Sequence, residues 1–98
     1  MHARTGTLQV SPDRIDDVVR KLESEQIPRY QEQQGYKGFT VLADRQSGKV
    51  MGISFWESEA DLQASEQLGD EARTQAAATG EADQPVVDRF EVLLDDMV

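Results

Sequence analysis

The stretch Gly48-Lys49-Val50-Met51-Gly52-Ile53-Ser54-Phe55-Trp56-Glu57-Ser58-Glu59-Ala60 decides the fold, because it carries a strand, the only tryptophan and the first residues of a helix. Val50, Met51, Ile53, Phe55 and Trp56 place apolar groups on both faces of that strand, the pattern of a strand covered on two sides. Helices of the same chain can cover one face. The second face then calls for another subunit or a lid.

Toward the N-terminus, Tyr36 to Ala43 alternates as a strand, with Phe39, Val41 and Ala43 on one face and Tyr36, Gly38, Thr40 and Leu42 on the other. The turn Asp44-Arg45-Gln46-Ser47-Gly48 has hairpin length, so this strand and the next are expected to be antiparallel neighbours. Ala3 to Val10 shows the same period of two, with Arg4, Gly6, Leu8 and Val10 sharing the face expected to look toward the helices. A glycine inside a strand, here Gly6, marks a bulge or a close approach. Ser11-Pro12-Asp13 reads as a helix start: a serine able to accept from free amides, a proline that needs no donor, and an acid favoured by the helix dipole. Ile15, Val18, Val19 and Leu22 form the apolar stripe of that helix. Pro28 is expected to kink or break it, and Gly35 to close the segment in a left-handed conformation.

Toward the C-terminus, Ser58 is expected to cap a second helix, with Asp61 three residues on. Gly69-Asp70 should split that helix, Asp70 capping a second piece through Ala72, Ala76 and Ala77 to Gly80. Val86 to Leu94 reads as the last strand, with Val86, Asp88, Phe90, Val92 and Leu94 on one face. The order β-α-β-β-α-β predicts an α+β, ferredoxin-like fold over residues 1–98 as one domain: an antiparallel sheet with helices on one face. Its open face is expected to carry Phe39, Val41, Met51, Ile53 and Phe55. An apolar patch of that kind marks an interface, and a C2 homodimer with sheets face to face covers it most simply.

Composition narrows the partners. At 98 residues the chain buries only about 60–65% of its unfolded surface, so a partner would add stability. The net charge of −9 argues against a nucleic-acid partner, which needs a clustered basic face. With no cysteine there is no disulfide framework, thiolate nucleophile or cysteine-based zinc site. No apolar run approaches the ~18 residues of a membrane span, and the opening residues lack a signal-peptide core. The expectation is a cytoplasmic protein with no membrane partner.

The frame Pro28-x-Tyr30, Gly35-Tyr36-x-Gly38, Leu42-x-Asp44, Gly48 and Ser54-x-Trp56-Glu57-Ser58-Glu59-Ala60 resembles the antibiotic biosynthesis monooxygenase superfamily of dimeric α+β barrels. The resemblance runs in order along nearly the whole chain, and its most specific piece is Trp56-Glu57-Ser58-Glu59-Ala60. It implies a homodimer whose sheets join in a barrel, with one pocket per subunit between sheet and helices. Members include cofactor-free oxygenases of electron-rich polycyclic phenols, quinol oxidases and haem-degrading enzymes. The haem-degrading branch uses an asparagine on the first strand and a tryptophan and a histidine on the second helix. Here those positions fall near Gly6, Ser65 and Gln75, and the chain has no asparagine. The phenol-oxygenating branch needs no cofactor, because the substrate supplies the electrons and the protein supplies a dry, positioned site.

Arg4, Tyr30, Tyr36 and Trp56 are the candidate substrate-binding residues. Trp56 at the strand end can stack on an aromatic ligand or pack in the core. Tyr30 and Tyr36 can donate to a ligand oxygen or stand half-buried with their hydroxyls in water. Arg4 can stabilise a phenolate, or pair with Asp88 across adjoining strands. Arg73 on the second helix can reach the pocket or lie in solvent. His2, the only histidine, leaves no two-histidine metal site and reads as a surface residue. Asp16-Asp17 does not face itself on a helix, and no phosphate loop or nucleophile elbow is present. No metal site and no catalytic residue are assigned. The expected function is a cofactor-independent monooxygenase of an aromatic or quinol-type molecule. The alternative is a non-catalytic homodimer that binds a small apolar ligand or assists a neighbouring enzyme. A pocket filled by Met51, Phe55 and Phe90 would remove the first of these.

Overall fold

In the computed structural model, which describes residues 1–97, the elements follow as β1 (His2–Gln9), α1 (Ile15–Lys21), α2 (Ile27–Gln31), β2 (Tyr36–Asp44), β3 (Lys49–Trp56), α3 (Glu59–Ala64), α4 (Glu66–Gly80) and β4 (Val86–Glu91). The strands form one sheet in the order β2-β3-β1-β4, every neighbouring pair antiparallel. This is the expected ferredoxin-like α+β arrangement. β3 lies inside the sheet between β2 and β1, with Val50 and Trp56 on the helix side and Met51, Ile53 and Phe55 on the open side. Among the described residues, no helix is long and apolar enough to cross a membrane.

Two local expectations are corrected at the first helix. Ser11 makes no side-chain cap; its carbonyl accepts from the Arg14 amide at 2.8 Å, and Pro12–Arg14 form a 3-10 turn. Pro28 does not break the helix. A π-helical turn over Leu22–Gln26 precedes it, in which the Ile27 amide donates to the Leu22 carbonyl, so one extra residue absorbs the proline and α2 runs on. Gly35 then turns the chain at φ +78°, as expected. In the second helical segment the Ser58 hydroxyl accepts from the Asp61 amide at 3.1 Å, the expected cap. The break falls at Ser65, however, and Gly69 and Asp70 lie inside α4. The last strand stops at Glu91, three residues short of the expected end.

The sheet faces also differ from expectation in one respect. Register pairs Phe39 with Ser54 and Val41 with Gly52, so both large residues sit over small ones on the helix side and not on the open face. A bulge at Lys37 shifts the alternation, and Tyr36, opposite Trp56, therefore shares the helix side with Phe39. The open face carries Leu42, Met51, Ile53, Phe55, Val86 and Phe90, of which Leu42, Val86 and Phe90 are more than half exposed. The helix side holds two buried clusters. Leu8, Val10, Ile15, Val18 and Val50 form one; Tyr30, Trp56, Leu62, Leu68 and Ala72 form the other.

Candidate functional site

Where the two clusters meet, the sheet has no side chains to offer: Gly6 of β1 pairs directly with Gly52 of β3. The result is a cavity of about 50 Å³ between sheet and helices. Leu8, Val18, Leu22, Val41 and Val50 make its apolar walls, and Arg4, Tyr30, Ser54 and Arg73 bring its polar groups. Met51, Phe55 and Phe90 are on the opposite face and leave it unfilled.

Arg4 is 2% exposed and enters from β1. Its Nη2 donates to the Leu62 carbonyl at 2.6 Å and to Ser65 Oγ at 2.8 Å, across the break between α3 and α4. Those two hydrogen bonds fasten β1 to the break at Ser65. The pair with Asp88 does not form. Arg4 lies opposite Arg89 in the register, and Asp88 lies opposite Thr5 on the other face; a shift of one residue moves every side chain to the other side. Glu66 is the carboxylate that the arginines share: Oε1 is 2.6 Å from Arg89 Nε and 3.5 Å from Arg4 Nε, and Oε2 is 4.0 Å from Arg73 Nη2. The hydrogen bond from Arg89 is the largest cause holding the Glu66 carboxyl below its ordinary pKa.

Tyr30 is buried at the far wall, its ring centroid 5.2 Å from Phe39 and 6.1 Å from Trp56. Burial pushes its hydroxyl above the ordinary pKa, opposed by the nearby Arg4 and Arg73 charges, so at neutral pH it is an uncharged donor. Tyr36 and Trp56 do not line the cavity; they stand behind Tyr30, packed edge to face with centroids 5.7 Å apart. Trp56 is fully buried and its Nε1 donates to Ser54 Oγ at 2.9 Å. Arg73 reaches the cavity with only 12% of its side chain exposed. The signal for it was the pair of glycines opposite, since Arg73 Cδ lies 3.0 Å from where a Cβ on Gly6 would be. His2 is not a frayed surface residue but part of the sheet, opposite Trp56 and Glu91, and lies outside the cavity. Among the described residues no cluster of His, Cys, Asp and Glu suits a metal ion.

The model of the family described as antibiotic biosynthesis monooxygenase matches residues 1–78. The chain is 32% identical over 65 residues to the uncharacterized protein Rv2558 of Mycobacterium tuberculosis, a match that takes in 66% of this chain. The chain spans only about 28% of that relative's length. The fold is similar to a Streptomyces coelicolor monooxygenase from the gene ActVA-Orf6, in complex with nanaomycin D, with TM-score 0.80 and 17% identity over 99% of this chain and 91% of that one. It is also similar to MhuD of Mycobacterium tuberculosis, a heme-degrader with two hemes in its active site, with TM-score 0.74 and 18% identity over 97% of this chain and 98% of that one. The residues here do not fit a haem: Ser65 is spent on Arg4 and Leu62, and Gln75 faces solvent.

Proposed function

Because the chain belongs to the antibiotic biosynthesis monooxygenase family, we propose that it is a cofactor-independent monooxygenase acting on an aromatic or quinol-type small molecule in the cavity between sheet and helices. The observation that carries this is convergence: Arg4, Arg73 and Tyr30 bring polar groups to one otherwise apolar cavity, close enough for both arginine charges to act on the Tyr30 hydroxyl. An aromatic substrate can lie against Leu8, Val41 and Val50 with its oxygen toward those groups, while Tyr36 and Trp56 hold the Tyr30 ring from behind. In the simplest such reaction a ring CH₂ becomes C=O. One atom of dioxygen ends in the carbonyl and the other leaves as water with the two hydrogens, so all electrons come from the substrate. The protein's contribution is orientation and exclusion of bulk water.

The open sheet face supports a homodimer. Met51, Ile53, Phe55, Leu42 and Phe90 form an apolar surface with no cover from the chain's own helices, and a C2 pairing brings two copies of that surface together. The second functional reading is a non-catalytic homodimer that binds a small apolar ligand or assists a neighbouring enzyme, and the cavity of about 50 Å³ favours its accessory form, since ligand pockets start at about 300 Å³.

Thermal unfolding against a panel of anthrones, quinols, flavonoids and haem tests the reading. A ligand at about 100 times its dissociation constant adds about 2.7 kcal/mol. The expected result is a raised midpoint with a hydroxylated aromatic class and none with haem; a panel without any shift would overturn the small-aromatic reading.

A further inference from the structure

We propose that the substrate is held as an oxyanion, an ionised phenol, enol or carboxylate on an aromatic frame, clamped between Arg4 and Arg73 at the cavity end below Gly69. The inference rests on the small-aromatic reading above and adds the charge state of what is bound.

Three observations carry it. First, Arg4 is 2% exposed, yet its Nη1 has no hydrogen-bond partner and its Nε has only the 3.5 Å ion-pair contact with Glu66. A buried, unpaired donor is costly, and a charged one more so, unless something arrives to accept from it. Second, Arg4 Nη1 and Arg73 Nη1 lie 2.5 Å and 2.9 Å from where a Cβ on Gly69 would stand. Glycine inside a helix costs about 1 kcal/mol relative to alanine, and here it makes room for two guanidinium groups to lie side by side against α4. Third, the charges do not balance. Arg4, Arg73 and Arg89 face Glu66, with Asp70 paired to Arg73 from the solvent side. Asp70 and Asp88 act from the solvent side, so on the cavity side the two shielded guanidinium groups of Arg4 and Arg73 share the single Glu66 carboxylate, in a chain whose net charge is −9. Long-range attraction cannot explain anion binding by such a chain; local geometry must supply it.

Arg73 also resolves the cavity's small size. It is the one residue shared by the inner cavity of about 50 Å³ and an outer cleft of about 430 Å³ lined by Asp70, Thr74, Asp83, Pro85 and Val87. Its side chain is the wall between them, tied outward to Asp70 at 2.5 Å. An arriving oxyanion competes with the Asp70 carboxylate for Arg73, and turning that side chain joins cleft to cavity.

Three naphthalene probes of one shape test this by titration calorimetry on the full chain: 2-naphthoate, always ionised at neutral pH; 2-naphthol, ionisable; and 2-methoxynaphthalene, always neutral. The expected result is naphthoate binding about tenfold or more tighter than the ether, with Arg73→Gln bringing the two within about twofold. A tenfold preference for the anion is about one pKa unit, so the absorbance titration of bound 2-naphthol should move down by about one unit or more in the unmodified protein, a readout that needs no variant to fold. Equal binding of naphthoate and ether, with an unmoved naphthol titration, overturns the clamp and leaves the small-aromatic reading intact. Failure of all three probes to bind overturns both.

Discussion

Ile53→Asp is expected to leave the protein monomeric at micromolar concentration. Ile53 sits in the middle of the open face, opposite Thr5 in β1 and Thr40 in β2. In a face-to-face C2 dimer its side chain lies in the buried centre, and an uncompensated buried charge there costs about 3–5 kcal/mol. Two-fold symmetry introduces it twice. Sedimentation velocity checks the outcome: the unmodified chain should run as a dimer and the variant as a folded monomer, with circular dichroism confirming retained helix. A variant that stays dimeric would mean that the subunits meet through another face.

Trp56→Ala is expected to lose about 3–5 kcal/mol, the range for a large aromatic removed from a core. Trp56 has no exposed surface, packs on both Tyr30 and Tyr36, and spends its only donor on Ser54. At about 4 °C or more per kcal/mol, the melting midpoint should fall by more than about 10 °C. Trp56→Phe should recover most of that, because it keeps the ring and loses one hydrogen bond. The comparison separates the two roles weighed for this residue. A tryptophan kept for stacking on a ligand would cost little stability when removed and much binding; a tryptophan kept for packing does the reverse, weakening binding only through Tyr30.

Strand and helix order was legible from period and punctuation. Ser58 with Asp61 pointed directly to a capped helix start. What the sequence did not disclose came from register. Alternation groups Phe39 with Val41 but does not say which face they take; Gly52 and Ser54, the small residues they lie over, held that answer. The bulge at Lys37 similarly carries Tyr36 to the face of Phe39 against simple alternation. The partner of Arg4 depended on a one-residue choice between Asp88 and Arg89. Gly69, a breaker by propensity, lies inside α4 at a point where a side chain would meet Arg4 and Arg73. Propensity yields to packing at such a position.

The most direct measurement of the central claim is dioxygen uptake with a hydroxyanthrone, in chelator-treated buffer, by the unmodified protein and by Gly6→Val. Gly6 faces the cavity in a strand, where valine suits the backbone; a Cβ there stands 3.0 Å from Arg73 Cδ, so the valine takes cavity space and the flexible Arg73 stem gives way to it. The expected result is protein-dependent uptake of one dioxygen per anthrone, with one labelled oxygen atom in the product, falling to background in Gly6→Val. Binding without protein-dependent uptake, or equal uptake by the plugged variant, would contradict a cofactor-free oxygenase working in this cavity.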